Sequence, residues 1–340
     1  MKKLLFATLG LAFALGLGQI QSVHAASSND FEVQPVLPDN QTDQSENFYD
    51  LKVAKDTEQT LQLRIQNFTN KTITVKSDIR NAYTQVGGGI DFSATAATDQ
   101  TLKHPLTTLL TLPKAQQTIT LSAHEATTLT ANLKIPKTGL KGMVYGDWHF
   151  TEKVNAKTEK HTAVKAHYAY SVGVCLQGKG YAQTSAALTY QNTRPFLYNK
   201  HPAMAITVKN SQPMAMRQVA ITGQIALVGK ANTKRTFQNS QVMIAPNSTL
   251  QVPISWNYDS MQPGKYQIKL HINGQNYANR FPIDQTFVKH FTVARSTADR
   301  LNQRAAKKPK NQWLPVTVGI GGLWLLAVGS LIWLLAVRPR

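Results

Sequence analysis

The chain has 340 residues, a formal net charge of +19 and a single cysteine. One cysteine excludes an intramolecular disulfide, so the fold must rest on its apolar cores. A cytosolic chain this basic would suggest nucleic acid, but the two termini direct this chain out of the cell and exclude nucleic acid as the expected partner.

Lys2 and Lys3 precede an uncharged apolar run from Leu4 to about Ile20, and Ser22-Val23-His24-Ala25 follows. A basic start, a short apolar stretch and a small-residue end predict a secretory signal peptide over residues 1–25, cut after Ala25.

Beyond the signal the apolar spacing is two. Leu61, Leu63 and Ile65 share one face, Asn67-Phe68-Thr69-Asn70 supplies turn chemistry, and Ile73 and Val75 resume the alternation. Such runs, punctuated by Asn, Gly, Pro and Ser, predict antiparallel sheets with one buried and one wet face. No amphipathic helix is evident in this part. Gly87-Gly88-Gly89-Ile90-Asp91 lacks the strand–helix setting of a phosphate loop and reads as an inter-strand loop. Asp91 is retained there as a ligand-contact candidate. In 142–150, Val144, Trp148 and Phe150 fall on the core face, so Tyr145, Asp147 and His149 are expected outside. A row of exposed aromatic and polar groups is a candidate contact for a sugar chain. Cys175, within an apolar run, is expected to pack as a small hydrophobe.

An internal repeat predicts two domains. TTLTANLKIP (127–136) matches STLQVPISWN (248–257), aligning Leu129 with Leu250, Leu133 with Ile254 and Ile135 with Trp256. GMVYGDWHF (142–150) matches GKYQIKLHI (264–272), aligning Gly142 with Gly264 and Val144, Trp148 and Phe150 with Tyr266, Leu270 and Ile272. Each half opens with a strand ending in Asn, at Asn67 and Asn210. The expected class is an all-β ectodomain of two tandem immunoglobulin-like β-sandwiches, over 30–176 and 181–294, divided near Gln177-Gly178-Lys179-Gly180.

Residues 295–312 read as a polar, basic stalk, with Arg295, Arg300, Arg304, Lys307, Lys308 and Lys310 against Asp299. The stalk is either a solvated linker or an electrostatic contact to anionic lipid or wall polymer. Leu314 to Val337 contains no charged residue, and about 20 apolar residues span a bilayer core. One transmembrane helix is therefore expected over 313–337, with 338–340 as a cytoplasmic tail. The ectodomain then faces the cell wall. Leu314-Pro315-Val316-Thr317-Val318 approaches a sortase signal but has Val318 where the scissile bond needs glycine, so the chain is read as uncleaved.

No catalytic motif stands out, and the histidines are scattered without metal-ligand spacing. Neither a cofactor nor a metal is expected. The alternatives are a membrane-anchored wall hydrolase or protease, for which Asp147, Glu152 and Glu159 are the obvious carboxylates, and a sortase-processed wall protein.

FEVQPVLPDNQ (31–41), YDLKV (49–53), the Asn-turn strand pair at 61–75, GGGIDFS (87–93), APNSTLQVPISW (245–256) and PGKYQIKL (263–270) occur in order. Together they resemble the WxL-interacting proteins of Gram-positive bacteria. The segment RPFLYNKH (194–201) is more aromatic than that resemblance leads one to expect. The resemblance implies a cell-surface adapter that binds peptidoglycan through its first domain and partners WxL-domain surface proteins. For some members it implies a host extracellular ligand for the second domain. It implies no enzymatic activity.

Overall fold

Period-two patterning becomes strands throughout, in a computed structural model that describes residues 30–94, 99–153 and 169–307, with positions 328 and 330. The expected signal peptide (1–25) and, apart from those two positions, the expected spanning helix (313–337) lie outside the described residues. Among the described residues no helix is long and apolar enough to cross a membrane.

In the first sandwich one sheet runs β1 (Phe31–Val36), β3 (Glu58–Asn67), β8 (Ala126–Lys134), β6 (Leu110–Thr111). The facing sheet runs β2 (Tyr49–Lys52), β10 (Ala169–Gln177), β9 (Met143–Glu152), β4 (Ile73–Thr84), β5 (Ile90–Ser93), and β7 (Thr118–Leu121) also pairs with β4. All these pairs are antiparallel except β10 with β2. Leu61, Leu63 and Ile65 from one sheet bury against Val75, Trp148 and Phe150 from the other. The indole N–H of Trp148 donates to Ser77 Oγ at 2.7 Å, which satisfies the polar atom that its burial would strand. A short helix, α1 (Leu106–Leu109), adds Leu106 and Leu109 to this core.

The second sandwich packs β11 (Leu188–Tyr198), β12 (His201–Asn210) and β15 (Ser248–Ser255) against a sheet ordered β14 (Lys230–Ile244), β13 (Met216–Leu227), β16 (Gly264–Asn276), β17 (Pro282–Val293). The repeat is structural. Leu129, Leu133, Ile135 and their counterparts Leu250, Ile254 and Trp256 are all buried, as are Tyr266, Leu270 and Ile272. Asn67 and Asn210 end equivalent strands, and both are fully buried. Asn67 Nδ2 donates to the carbonyls of Lys71 and Ser122, at 2.8 and 2.7 Å. Asn210 Nδ2 donates to those of Met214 and Ala245, at 2.8 and 3.0 Å. A buried amide thus ties a turn to a neighbouring chain segment in each half.

The stalk is corrected over its first ten residues. Arg295–Arg304 forms helix α2, with Ala298 and Leu301 buried in the second core. Asn302 locks it down by accepting from Met261 N–H (2.8 Å) and donating to Met261 O (3.0 Å). Two apolar side chains three residues apart form one contact stripe, enough for a helix that the domain holds by packing. Arg295, Arg300 and Arg304 stay on its exposed side and Lys307 follows, while Lys308 and Lys310 lie outside the described residues.

The glycine loop also differs from a simple inter-strand loop, because it clasps the second sandwich. Gly87 N–H donates to Gln251 O at 2.7 Å, Gly89 N–H to Met243 O at 2.9 Å, and Asn239 Nδ2 donates to Gly87 O at 2.9 Å. Gly88 has φ +101°, and a Cβ there would stand 2.8 Å from Val242 Cγ2. Backbone conformation and contact both require glycine. Further along the seam Lys209 Nζ meets Asp99 Oδ1 at 2.8 Å, and Met143 N–H donates to Pro213 O at 2.7 Å. Met143, Cys175 and Ala215 form a small apolar cluster against Tyr145, Tyr181 and Tyr277. Cys175 packs as a small hydrophobe, and burial, with Asp50 beside it, pushes its thiol well above its ordinary pKa.

Candidate binding face

Strand parity brings Tyr145, Asp147 and His149 onto the face of β9 turned away from the core. The register sets Ser171 and Asp78 on either side of His149, and Gly173 and Arg80 on either side of Asp147. Sequence reading missed Asp78, Arg80 and Ser171. The alternation begun by Ile73 and Val75 carries 78 and 80 to this face, so their signal lay in the pattern itself.

The face is less wet than parity alone suggested. Asp147 is 0% exposed. Its Oδ2 accepts from the hydroxyl of exposed Ser171 and lies 3.4 Å from His149 Nδ1. Its Oδ1 has no hydrogen-bond partner among the described residues. A buried carboxylate oxygen left open costs desolvation energy unless a ligand or water meets it. Arg80 Nε pairs with Asp78 Oδ2 at 3.1 Å, both side chains being partly exposed. Tyr145 packs edge-on against Phe92, with ring centroids 5.4 Å apart, and its hydroxyl lies close to Gly173. Burial raises the Tyr145 pKa, so the phenol stays a neutral donor.

Asp91 stands apart from this row, in the β4–β5 hairpin. Its carboxylate accepts from Tyr83 OH (2.8 Å) and from Phe92 N–H (2.8 Å). Partial burial works to raise its pKa, but those hydrogen bonds, with Gln85 and the Arg80 charge, outweigh it and hold the group below its ordinary value. Its lone pairs support the hairpin that clasps the second sandwich. Hydroxyl, imidazole, guanidinium and phenol thus line one sheet face over a buried carboxylate. That combination can exchange hydrogen bonds with a polar, uncharged or mixed-charge polymer and offers aromatic surface beside it. Among the described residues no group of three His, Cys, Asp or Glu is placed to hold a metal ion.

Comparison with known structures finds distant sandwiches. The class 5 fimbriae chaperone CfaA is 10% identical, with 76% of this chain and 98% of that chain covered at a TM-score of 0.32. The E. coli chaperone DraB is 10% identical, with 78% and 97% covered at a TM-score of 0.29. The YadV chaperone is 12% identical, with 76% and 100% covered at a TM-score of 0.30. Likeness at that level carries no functional weight. No curated protein matches the sequence. Two family models do match. One is described as the WxL Interacting Protein peptidoglycan binding domain, over residues 31–152, and the other as the WxL Interacting Protein host binding domain, over residues 159–303. The second begins ahead of β10, a strand that completes the first sandwich, and ends within α2. With both binding-domain models matched in order across residues 31–303, the chain belongs to the WxL-interacting protein family.

Proposed function

We propose that the chain is a non-catalytic adapter of the cell surface. The first sandwich binds peptidoglycan, the chain partners WxL-domain surface proteins, and the second sandwich offers a face for a protein or host ligand. The signal peptide (1–25) exports it, and the apolar run at 313–337 holds it in the membrane with its body toward the wall and residues 338–340 inside. The domain division at 177–180 separates the wall-binding unit from the partner-binding unit.

The observation that carries this reading is the tandem match of a peptidoglycan-binding and a host-binding domain model on one chain. The face built from Tyr145, His149, Ser171, Asp78 and Arg80 adds chemistry suited to a glycan–peptide polymer: hydrogen-bonding groups of both kinds and one aromatic ring. An adapter must hold two partners together, so bridging tests the proposal. A purified WxL-domain protein is mixed with insoluble peptidoglycan under conditions where it sediments poorly alone. Adding this chain should carry it into the pellet, and a pellet unchanged by the chain would contradict the adapter role.

A further inference from the structure

The chain leaves the second sandwich at a fixed point. Ala306 N–H donates to Lys200 O at 2.8 Å, and Lys200 lies in the tight turn between β11 and β12, with Asn199 and Lys200 at φ +50° and +62°. Aromatic and basic groups gather there. Leu197 packs against the core, whereas Phe196 and Tyr198 point the other way, with ring centroids 6.0 Å apart. The Arg194 guanidinium lies 6.0 Å from the Phe196 centroid. Tyr258, 48% exposed, meets the His201 ring edge-on at 4.6 Å. Lys200, Arg304 and Lys307 are exposed around them. Of the carboxylates nearby, Asp259 is already paired with Arg235 at 2.7 Å, which leaves Asp299 on α2.

From Ala306 the chain has eight residue steps to Leu314, where the uncharged apolar run begins, a reach of at most about 26–29 Å. Lys308 and Lys310 lie within that reach. A chain anchored by that run therefore keeps this end of the second sandwich at high effective concentration beside the headgroups. Aromatic rings with basic neighbours are the side chains that favour such an interface.

We propose that the β11–β12 turn, Tyr258 and the C-terminal end of α2 form a seat on anionic lipid headgroups, fixing the ectodomain on the membrane that anchors it. The proposal rests on the anchored reading of residues 313–337. It makes the second sandwich membrane-proximal and directs the first sandwich outward to the wall. It also gives the aromatic segment 194–201 a role.

The test uses the full chain reconstituted into vesicles of zwitterionic lipid with and without phosphatidylglycerol. An environment-sensitive fluorophore is placed at Tyr258→Cys, with Phe68→Cys in the first sandwich, 44% exposed, as the control position. Buried Cys175 should leave the unsubstituted chain unlabelled, and that chain is the blank. The proposal expects the label at 258, and not at 68, to be quenched by headgroup-nitroxide lipid in anionic vesicles. Arg194→Gln and Lys200→Gln should each lower that contact about fivefold. Equal responses at 258 and 68 in chain that stays in the vesicles overturn the seat and leave the anchoring standing. Loss of the chain to an alkaline carbonate wash overturns the anchoring and the seat with it. A label at 258 that responds to purified wall polymer but not to vesicles also overturns the seat.

Discussion

Thr84 and Ser248 meet hydroxyl to hydroxyl at 2.5 Å in the buried seam between the two sandwiches. Ser248 Oγ donates to Ala245 O at 2.9 Å, so Thr84 donates to Ser248, and Thr84 Oγ1 in turn accepts Ala245 N–H at 3.0 Å. Each sandwich thus completes hydrogen bonds that the other leaves open. Thr84→Val strands Ala245 N–H and one hydroxyl acceptor, a loss of about 1–3 kcal/mol. Thermal unfolding followed by calorimetry should show a transition lowered by several degrees. Gly88→Val should do at least as much harm, because its side chain meets Val242 in a backbone region closed to valine. An unchanged melting profile for both would mean that the seam does not couple the sandwiches.

Alkali should attack the same seam. Cys175, Tyr145, Tyr181 and Tyr277 are all shifted upward, in each case chiefly by burial. In the unfolded chain thiol and phenols ionise near their ordinary values, about 8.5 and 10. Above those values the native state holds more protons than the unfolded state, so stability falls as pH rises. Stability should be flat through neutrality and decline from about pH 9 upward. The Cys175 thiol should resist alkylation in the native protein at neutral pH and react readily in Gly88→Val if that substitution opens the seam. Rapid alkylation of the native wild-type chain would contradict the buried junction.

The equivalence of Asn67 and Asn210 predicts equivalent damage. Asn67→Ala removes one donor from each of Lys71 O and Ser122 O, which keep Thr69 Oγ1 and Glu125 N–H. Asn210→Ala removes the amide donor from buried Met214 O and leaves Ala245 O with Ser248 Oγ alone. At about 1 kcal/mol net per hydrogen bond lost from a buried amide, each should lower denaturant resistance measurably. Asn→Asp keeps the shape but replaces the donor with a negative charge facing those carbonyls, and should be no better tolerated. Chemical denaturation of the pair checks this. A neutral Asn210→Ala beside a damaging Asn67→Ala would break the structural repeat as an energetic one.

On the proposed wall-binding face, Arg80→Ala and His149→Ala remove partly exposed groups that lie outside the apolar core. Each should reduce retention on insoluble peptidoglycan about fivefold or more if the face is the contact. Lys269→Ala, on the second sandwich, removes one positive charge elsewhere and should change retention little. Equal losses from all three would reduce the interaction to net charge.

Much of this was legible in the sequence because period-two patterning records burial directly. Leu61, Leu63 and Ile65 fell on the core side as read, and Trp256 and the aligned repeat positions did too. What escaped depended on contacts between distant segments. Helix α2 carries only Ala298 and Leu301 on its buried side, a signal too short to separate a docked helix from a basic linker. Gly87 and Gly88 became informative only once Phe237, Val242 and Ile221 of the second sandwich stood against them. Parity placed Asp147 on the outer face, but parity reports direction and not what covers that direction. Asp91 looked available because its partner Tyr83 sits eight positions away, across a hairpin whose register the sequence did not state.

The most direct test of the central claim is co-sedimentation of the chain with purified insoluble peptidoglycan across a salt series. At 1 M salt the screening length is about 3 Å, so attraction of a net +19 chain to wall polyanions is largely removed there. Recognition through hydrogen bonds and an aromatic ring predicts that wild type remains largely in the pellet while His149→Ala and Arg80→Ala are released. Loss of wild type at moderate salt, together with unchanged retention of the two variants at low salt, would contradict specific wall binding by the first sandwich.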